Sequence, residues 1–277
     1  MNWNEIERDI LNHLTQPHHL IPLSPGLEAD VVKLELRNSS YVLKIWNKDS
    51  RPDIGKQYEL LADLYKKGLR VPKPYGWGID ADHNQVLLTS YDGEPISKLN
   101  RSILMNLARM LKEVHNYRLG STDAIQIPKY DFIRYFFPSI EMHNDINNLL
   151  IGIINMTELS QDYLIHGDYN LGNILEKQGN YTIIDWTNGQ RGDPRYDIAW
   201  SVVLMKIYAG ERYGGIYFSI FQELTDYSLD ELNIFEAIAC LRWILLSRIA
   251  DLPKSPSAFK RVKKIIQNNR YLNDELL

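Results

Sequence analysis

With 277 residues, 44% of them hydrophobic and 24% charged, the chain has enough apolar material for one large domain or two lobes. A net charge of −4 lacks the positive excess of a protein that grips long nucleic acid, and the single cysteine excludes an internal disulfide and any zinc cage or redox pair built from thiols. The opening "MNWNEIERDILNHL" has no secretory-signal layout and no apolar run reaches bilayer length, so a cytoplasmic chain with neither membrane nor nucleic-acid partner is expected.

Along the chain, Ile6, Ile10, Leu11 and Leu14 share one helical face, which predicts a helix over Asn4 to Leu14. The β-rich runs "LIPL", "DVVKLEL" and "YVLKIW" follow as an antiparallel meander, interrupted by "SPGLEAD", whose Gly26 stands outside any glycine-rich repeat. Asp53 to Lys67 is helical in pattern, with Gly68 as its stop and Pro72 just beyond. Strand-like runs near "YGWGI" and "QVLLTSY" complete a five-stranded small lobe before "DGEP" breaks the chain. This gives two parts, residues 1–92 and residues 93–277, the second mostly helical. Within it, "YLIH", "NILEK" and "YTIIDW" read as strands, the last two joined by a "QGN" turn.

The stretch "YLIHGDYNLGNIL" concentrates the chemistry. Asp168 and Asn173 are five residues apart across a glycine-containing loop, so one can face a substrate hydroxyl while the other offers an amide oxygen to a cation. A hairpin later Asp185 ends an apolar strand as a second hard oxygen ligand. Three such groups suit magnesium-bound phosphate, because phosphoryl transfer asks a protein mainly for positioning and charge neutralisation.

"LIHGDYNLGNIL", "IIDW" and "GDPRYDIAW", in this order, resemble the aminoglycoside phosphotransferase and choline kinase superfamily, which shares the protein-kinase-like fold. The resemblance implies an α+β bilobal fold, with a small antiparallel-sheet N-lobe, a mostly helical C-lobe and the nucleotide between them. It implies transfer of the terminal phosphate of ATP or GTP to a small-molecule hydroxyl, with Mg2+ as cofactor. Residue by residue, Asp168 matches the catalytic base, Asn173 a magnesium ligand and Asp185 the main metal ligand, while His166 and Asp197 support the loop. The aromatic Trp186 is retained after Asp185, and Thr187 stands where kinases carry glycine.

Lys44 lies within an otherwise apolar strand and must reach water or an anion, and it resembles the lysine that contacts nucleotide phosphates. The helix position that pairs with it falls on Gln57, with Glu59 two residues on, and the choice between them stays open. Ser90 and Tyr91 resemble the connector whose backbone hydrogen-bonds the purine.

For the acceptor, the aromatics between Tyr208 and Trp243, namely Tyr213, Tyr217, Phe218, Phe221 and Tyr227, could line a cage for choline or could pack the core. Glu223, Asp226, Asp230, Glu231 and Glu236 could meet an aminoglycoside or cover solvated helix faces, and Ser228 with Glu231 reads as a capping box. Arg191 and Arg195 read as partners of local carboxylates, and Cys240 in "FEAIACLRWILL" as a small buried hydrophobe. An aminoglycoside-phosphotransferase-like enzyme is the leading expectation, a kinase of choline or another metabolite alcohol the first alternative, and a nucleotide-binding pseudokinase module the non-enzymatic one.

Overall fold

Where periodicity predicts one N-terminal helix, the chain forms strand β1 (Asn2–Ile6) followed by helix α1 (Arg8–Leu14). Strands β2 (His19–Pro22), β3 (Ala29–Glu35) and β4 (Ser40–Trp46), helix α2 (Ile54–Lys66), and strands β5 (Pro74–Ile79), β6 (Gln85–Ser90) and β7 (Glu94–Pro95) come next. The computed structural model describes residues 1–14, 19–23, 29–36, 39–47, 52–119, 125–250, 252 and 255–277, so the loop containing Gly26 lies outside the described residues.

The second stretch runs α3 (Arg101–His115), α4 (Phe132–Phe136), α5 (Asn144–Ile154), β8 (Tyr163–Ile165), β9 (Ile174–Lys177), β10 (Asn180–Ile183) and β11 (Gln190–Gly192). Helices α6 (Pro194–Leu204), α7 (Glu211–Leu224), α8 (Leu229–Ile249) and α9 (Pro256–Asn268) complete it. Among the described residues no helix is long and apolar enough to cross a membrane.

The chain divides into two compact units, Met1–Pro95 with Ile174–Thr187 and Ile96–Asn173 with Asn188–Leu277. The sequence alone places the hairpin β9–β10 in the helical half. It clusters with the first unit because β7 pairs antiparallel with β9, Glu94 opposite Glu176. Gln178 and Gly179 both adopt the left-handed conformation that a two-residue type I′ hairpin turn requires.

In the first unit, six antiparallel strands lie in the order β1-β5-β6-β4-β3-β2, one more than the five expected. The added strand is β1, and glycines admit it. A Cβ built on Gly78 would stand 2.3 Å from the Asn2 carbonyl oxygen, and one on Gly76 would stand 2.7 Å from that of Glu5. Absent side chains on β5 therefore let β1 pair with it, overriding the helical period of residues 4–7. Ile10, Leu34, Leu43, Val86 and Leu88 bury together on one side of the sheet. Helix α2 opens on Asp53, whose carboxylate accepts from the Lys56 N–H, and is followed by left-handed Gly68.

The second unit is organised around α8, buried almost continuously from Leu232 to Leu245. A helix apolar on every face belongs inside a core. Its start is the expected capping box, Ser228 and Glu231 bonding reciprocally. Phe132, Phe136, Tyr196, Trp200, Phe235 and Trp243 join the same core, each large side chain worth about 1.5–3 kcal/mol when fully buried.

Candidate active site

In the second unit, β8 pairs with β11, Ile165 opposite Gln190, and delivers His166, Gly167 and Asp168 at its end. Gly167 takes φ 77°, and a Cβ there would meet the Asn188 carbonyl oxygen at 2.7 Å, so only glycine fits this turn. Asp197 on α6 is fully buried and receives the backbone N–H groups of His166 at 2.8 Å and Gly167 at 2.9 Å. His115 Nε2 donates to the same carboxylate at 3.2 Å. Burial by itself would raise the Asp197 pKa. The hydrogen bond from His115, helped by the backbone donor of His166, outweighs that and holds it below the ordinary value.

Asp168 is gripped at both carboxylate oxygens. The indole N–H of Trp200 donates to Oδ1 at 2.7 Å, and the Asn173 amide donates to Oδ2 at 3.1 Å and to the Asp168 carbonyl at 2.9 Å. Asn170 bonds the Asp168 carbonyl at 3.0 Å and accepts from the Gly172 N–H at 2.8 Å, serving the turn itself. His166 is buried and its Nδ1 accepts the Asp168 N–H at 3.3 Å, which makes it part of the loop's frame.

In the first unit, Lys44 sits on β4 with Val31 and Leu87 opposite, and its Nζ lies 3.6 Å from Asp185 Oδ1. Asp185 is left-handed, φ 64°, a conformation that costs a non-glycine residue about 1–3 kcal/mol and marks sites where geometry is imposed. Thr187 donates to Asp185 Oδ1 at 3.0 Å, and Gln57 donates to Thr187 Oγ1 at 3.0 Å. On α2, Gln57 is buried and Glu59 exposed, as two residues apart on a helix dictates. Gln57 thus meets Asp185 through a hydroxyl, and its bonded partner is Thr187.

Ser90 ends β6 and Tyr91 follows it, and the backbone donors of both are engaged. The Ser90 N–H bonds the Lys73 carbonyl at 2.9 Å and the Tyr91 N–H bonds that of Ser40 at 3.3 Å. The Tyr91 carbonyl accepts from Lys177 at 3.1 Å. The carbonyls of these two residues, each with two lone pairs, can still accept a further hydrogen bond.

Residues 19–140 and 153–227 match the profile of the phosphotransferase enzyme family, APH. The chain belongs to this family. No curated protein matches it in sequence. Among solved structures it resembles the amicoumacin kinase hAmiN in complex with AMP-PNP, Ca2+ and Ami, at 18% identity and TM-score 0.66 over 98% of this chain and 96% of that one. It also resembles a thermostable mutant of aminoglycoside phosphotransferase APH(4)-Ia in ternary complex with AMP-PNP and hygromycin B, at 14% identity and TM-score 0.68 over 95% and 97%. The choline kinase LicA from Streptococcus pneumoniae is similar at 15% identity and TM-score 0.65 over 94% and 96%. At these identities the likeness is one of fold, α+β and protein-kinase-like, as expected.

Several residues of this phosphotransferase that sequence reasoning passed over carry the geometry. Trp200 lies three residues after Asp197 on α6, so both face the loop, but "YDIAW" drew attention only to its aspartate. Arg242 stands with Glu236 as one of two charges in "FEAIACLRWILL", the stretch that also holds Cys240, whose thiol is buried and pushed up in pKa by that burial. Thr187 looked like a lost glycine and is a bridging hydroxyl. His115 had no signal beyond its place at the end of α3.

Several of the groups that could meet an acceptor are committed elsewhere. Tyr217, Phe221 and Trp243 are completely buried, and Tyr217 packs edge-on to Phe221 at 4.8 Å. Glu223 pairs with Arg101, Asp230 with Arg270, Glu231 with Arg195 and Glu236 with Lys206. Arg191 pairs with Asp162, and Arg195 also with Asp193, so both arginines serve local structure.

Asn173 in the second unit and Asp185 in the first each carry a hard oxygen of the kind a cation takes. The Asn173 nitrogen is spent on Asp168, which leaves its carbonyl end to offer a metal. Among the described residues no group of three or more His, Cys, Asp or Glu is placed to hold an ion. Each taken singly is the donor type that suits magnesium, which commonly takes one or two protein oxygens and completes its shell with phosphate and water.

Proposed function

We propose that this phosphotransferase is a small-molecule kinase that moves the terminal phosphate of ATP or GTP to an acceptor hydroxyl. The observation that carries the reading is the two-sided hold on Asp168, Oδ1 by Trp200 and Oδ2 by Asn173. A carboxylate fixed this way orients a hydroxyl and accepts its proton as the new P–O bond forms and the bond to the leaving nucleoside diphosphate breaks. The loose transition state of phosphoryl transfer asks little of the base beyond position.

Lys44 meets the nucleotide's phosphates, and Gln57 keeps the Asp185 side of that site in place through Thr187. Ser90 and Tyr91 mark the connector that meets the purine. His166 and Asp197 brace the loop. Asn173 and Asp185 would hold magnesium, which when bound neutralises phosphate charge. Of the residues read for a polycationic or quaternary-ammonium acceptor, Tyr217 and Phe221 are buried and Glu223, Asp230, Glu231 and Glu236 are paired, while Asp226 is exposed and Tyr213, Phe218 and Tyr227 are only partly buried, so the acceptor is read as a small-molecule hydroxyl, aminoglycoside-like first and choline or another metabolite alcohol second.

The test is magnesium-dependent consumption of ATP and GTP against a panel of aminoglycosides, choline, sugars and amino-acid alcohols. Phosphorylated product with at least one acceptor is expected. A second reading, a nucleotide-binding module without turnover, draws on Gln57, a neutral residue where a carboxylate would meet Lys44. Nucleotide binding with no turnover on any acceptor or on water would favour it.

A further inference from the structure

Arg242 is buried in the middle of α8 and makes no ion pair with a carboxylate among the described residues. A guanidinium taken out of water without a counter-charge is costly, and a core keeps one only where other groups compensate. Here Nη1 donates to the Gly167 carbonyl at 3.0 Å and to the Tyr196 hydroxyl at 2.7 Å, while Nε has no hydrogen-bond partner. The guanidinium lies 4.1 Å from the centre of the Trp200 ring and 4.7 Å from that of Phe136. Aromatic faces thus take the place of a carboxylate.

Two of these contacts converge on one residue. The Gly167 carbonyl belongs to the peptide that leads into Asp168, and the Trp200 ring donates its N–H to Asp168 Oδ1 at 2.7 Å. We propose that Arg242 is a positioning residue for Asp168, fixing the peptide before it directly and its carboxylate through the Trp200 indole. The inference rests on the reading of Asp168 as the acceptor-orienting carboxylate. A planar guanidinium can stack on a ring and hydrogen-bond in its own plane at once, which an ammonium cannot do. The cation also polarises the indole toward a stronger N–H donor.

The test compares Trp200→Phe, which keeps a ring and loses the N–H, with Arg242→Met, Arg242→Lys, the Trp200→Phe/Arg242→Met double variant and Asp168→Asn. Each is assayed for ATP consumption with magnesium, using an active acceptor or, without one, water. Trp200→Phe and Arg242→Met are each expected to lower kcat by about 10–100-fold, the scale of a misplaced reacting group, with the nucleotide Kd unchanged within about twofold. Arg242→Lys should recover part of the loss, and the double variant should lose less than the product of the two single losses, because the two residues share the contact made through the indole.

Selective 15N labelling of tryptophan supplies a measurement that needs no turnover. Trp200→Phe identifies the Trp200 indole signal, which should move in both Asp168→Asn and Arg242→Lys. Should Arg242→Met fail to fold, Arg242→Lys and Trp200→Phe decide. A kcat for Trp200→Phe within about twofold of the parent, or multiplied losses in the double variant, overturns the proposal. Asp168→Asn running near the parent rate overturns the reading of Asp168 itself. An inactive Asp168→Asn beside an unaffected Trp200→Phe overturns only the role given to Arg242 and Trp200.

Discussion

Gln57 donates to Thr187 at 3.0 Å, and Thr187 passes a hydrogen bond on to the same Asp185 oxygen that faces Lys44. Side-chain atoms from α2 and from the segment after β10 are thereby tied into one relay inside the first unit. A neutral amide can do this where a carboxylate could not, because it has an N–H to give.

If the relay steadies a magnesium-nucleotide site, each link contributes roughly 1 kcal/mol, or about fivefold in affinity. Calorimetric titration of Mg-ATP should therefore show about fivefold weaker binding in Thr187→Val and in Gln57→Ala, with little further loss when they are combined. Unchanged affinity in Gln57→Ala beside complete loss in Glu59→Ala would reverse the assignment of the inward face of α2.

Removing the Asp168 carboxylate should separate chemistry from binding. Asp168→Ala is expected to cut phosphate transfer by about 10²–10⁴-fold, the usual weight of a general base, while the nucleotide Kd stays within about twofold. Transfer near the parent rate would end the proposed mechanism.

Asp197 makes stability depend on acid. Its pKa is below the ordinary 3.8, so its contribution is fully present above that value and is lost as pH falls through the folded one. The loss thus lies below about pH 4, and Asp197→Asn should flatten the urea-unfolding midpoint across it. At neutral pH the same substitution is expected to cost about 3–5 kcal/mol, because it breaks a buried charged network. An unaltered acid profile in Asp197→Asn would mean that another carboxylate controls the acid limb.

Two glycines give an internal comparison of space. Gly78→Ala places a methyl 2.3 Å from the Asn2 carbonyl oxygen and should destabilise by about 1–3 kcal/mol as β1 is pushed from β5. Gly215→Ala, on α7 with nothing within 4 Å, should be neutral or stabilise by up to about 1 kcal/mol. Equal effects in denaturant titrations would contradict the docking of β1 through the glycines.

The sequence by itself determined the parts whose signals are local. Short β-rich runs between turn signals marked β3, β4, β5 and β6, the 3.6-residue period with Asp53 and Gly68 bounded α2, and Ser228 with Glu231 announced the start of α8. The order of "HGDYNLGN", "IIDW" and "YDIAW" was enough to point to phosphotransfer, because those side chains are spaced by one loop, one hairpin and one helix.

Tertiary structure alone decided what depends on residues far apart in the chain. Residues 2–6 became a strand because the bare backbone of Gly76 and Gly78, far along the chain, left room that no helical period can register. Hairpin 174–187 joined the first unit through two residues of β7. Arg242 looked like an anomaly within an apolar run until its contacts with Trp200 and Gly167 were in view. A local pattern reports which face of an element is apolar. The partner that face or charge meets is set by packing, where burial makes an unmatched polar group costly and so forces these long-range pairings.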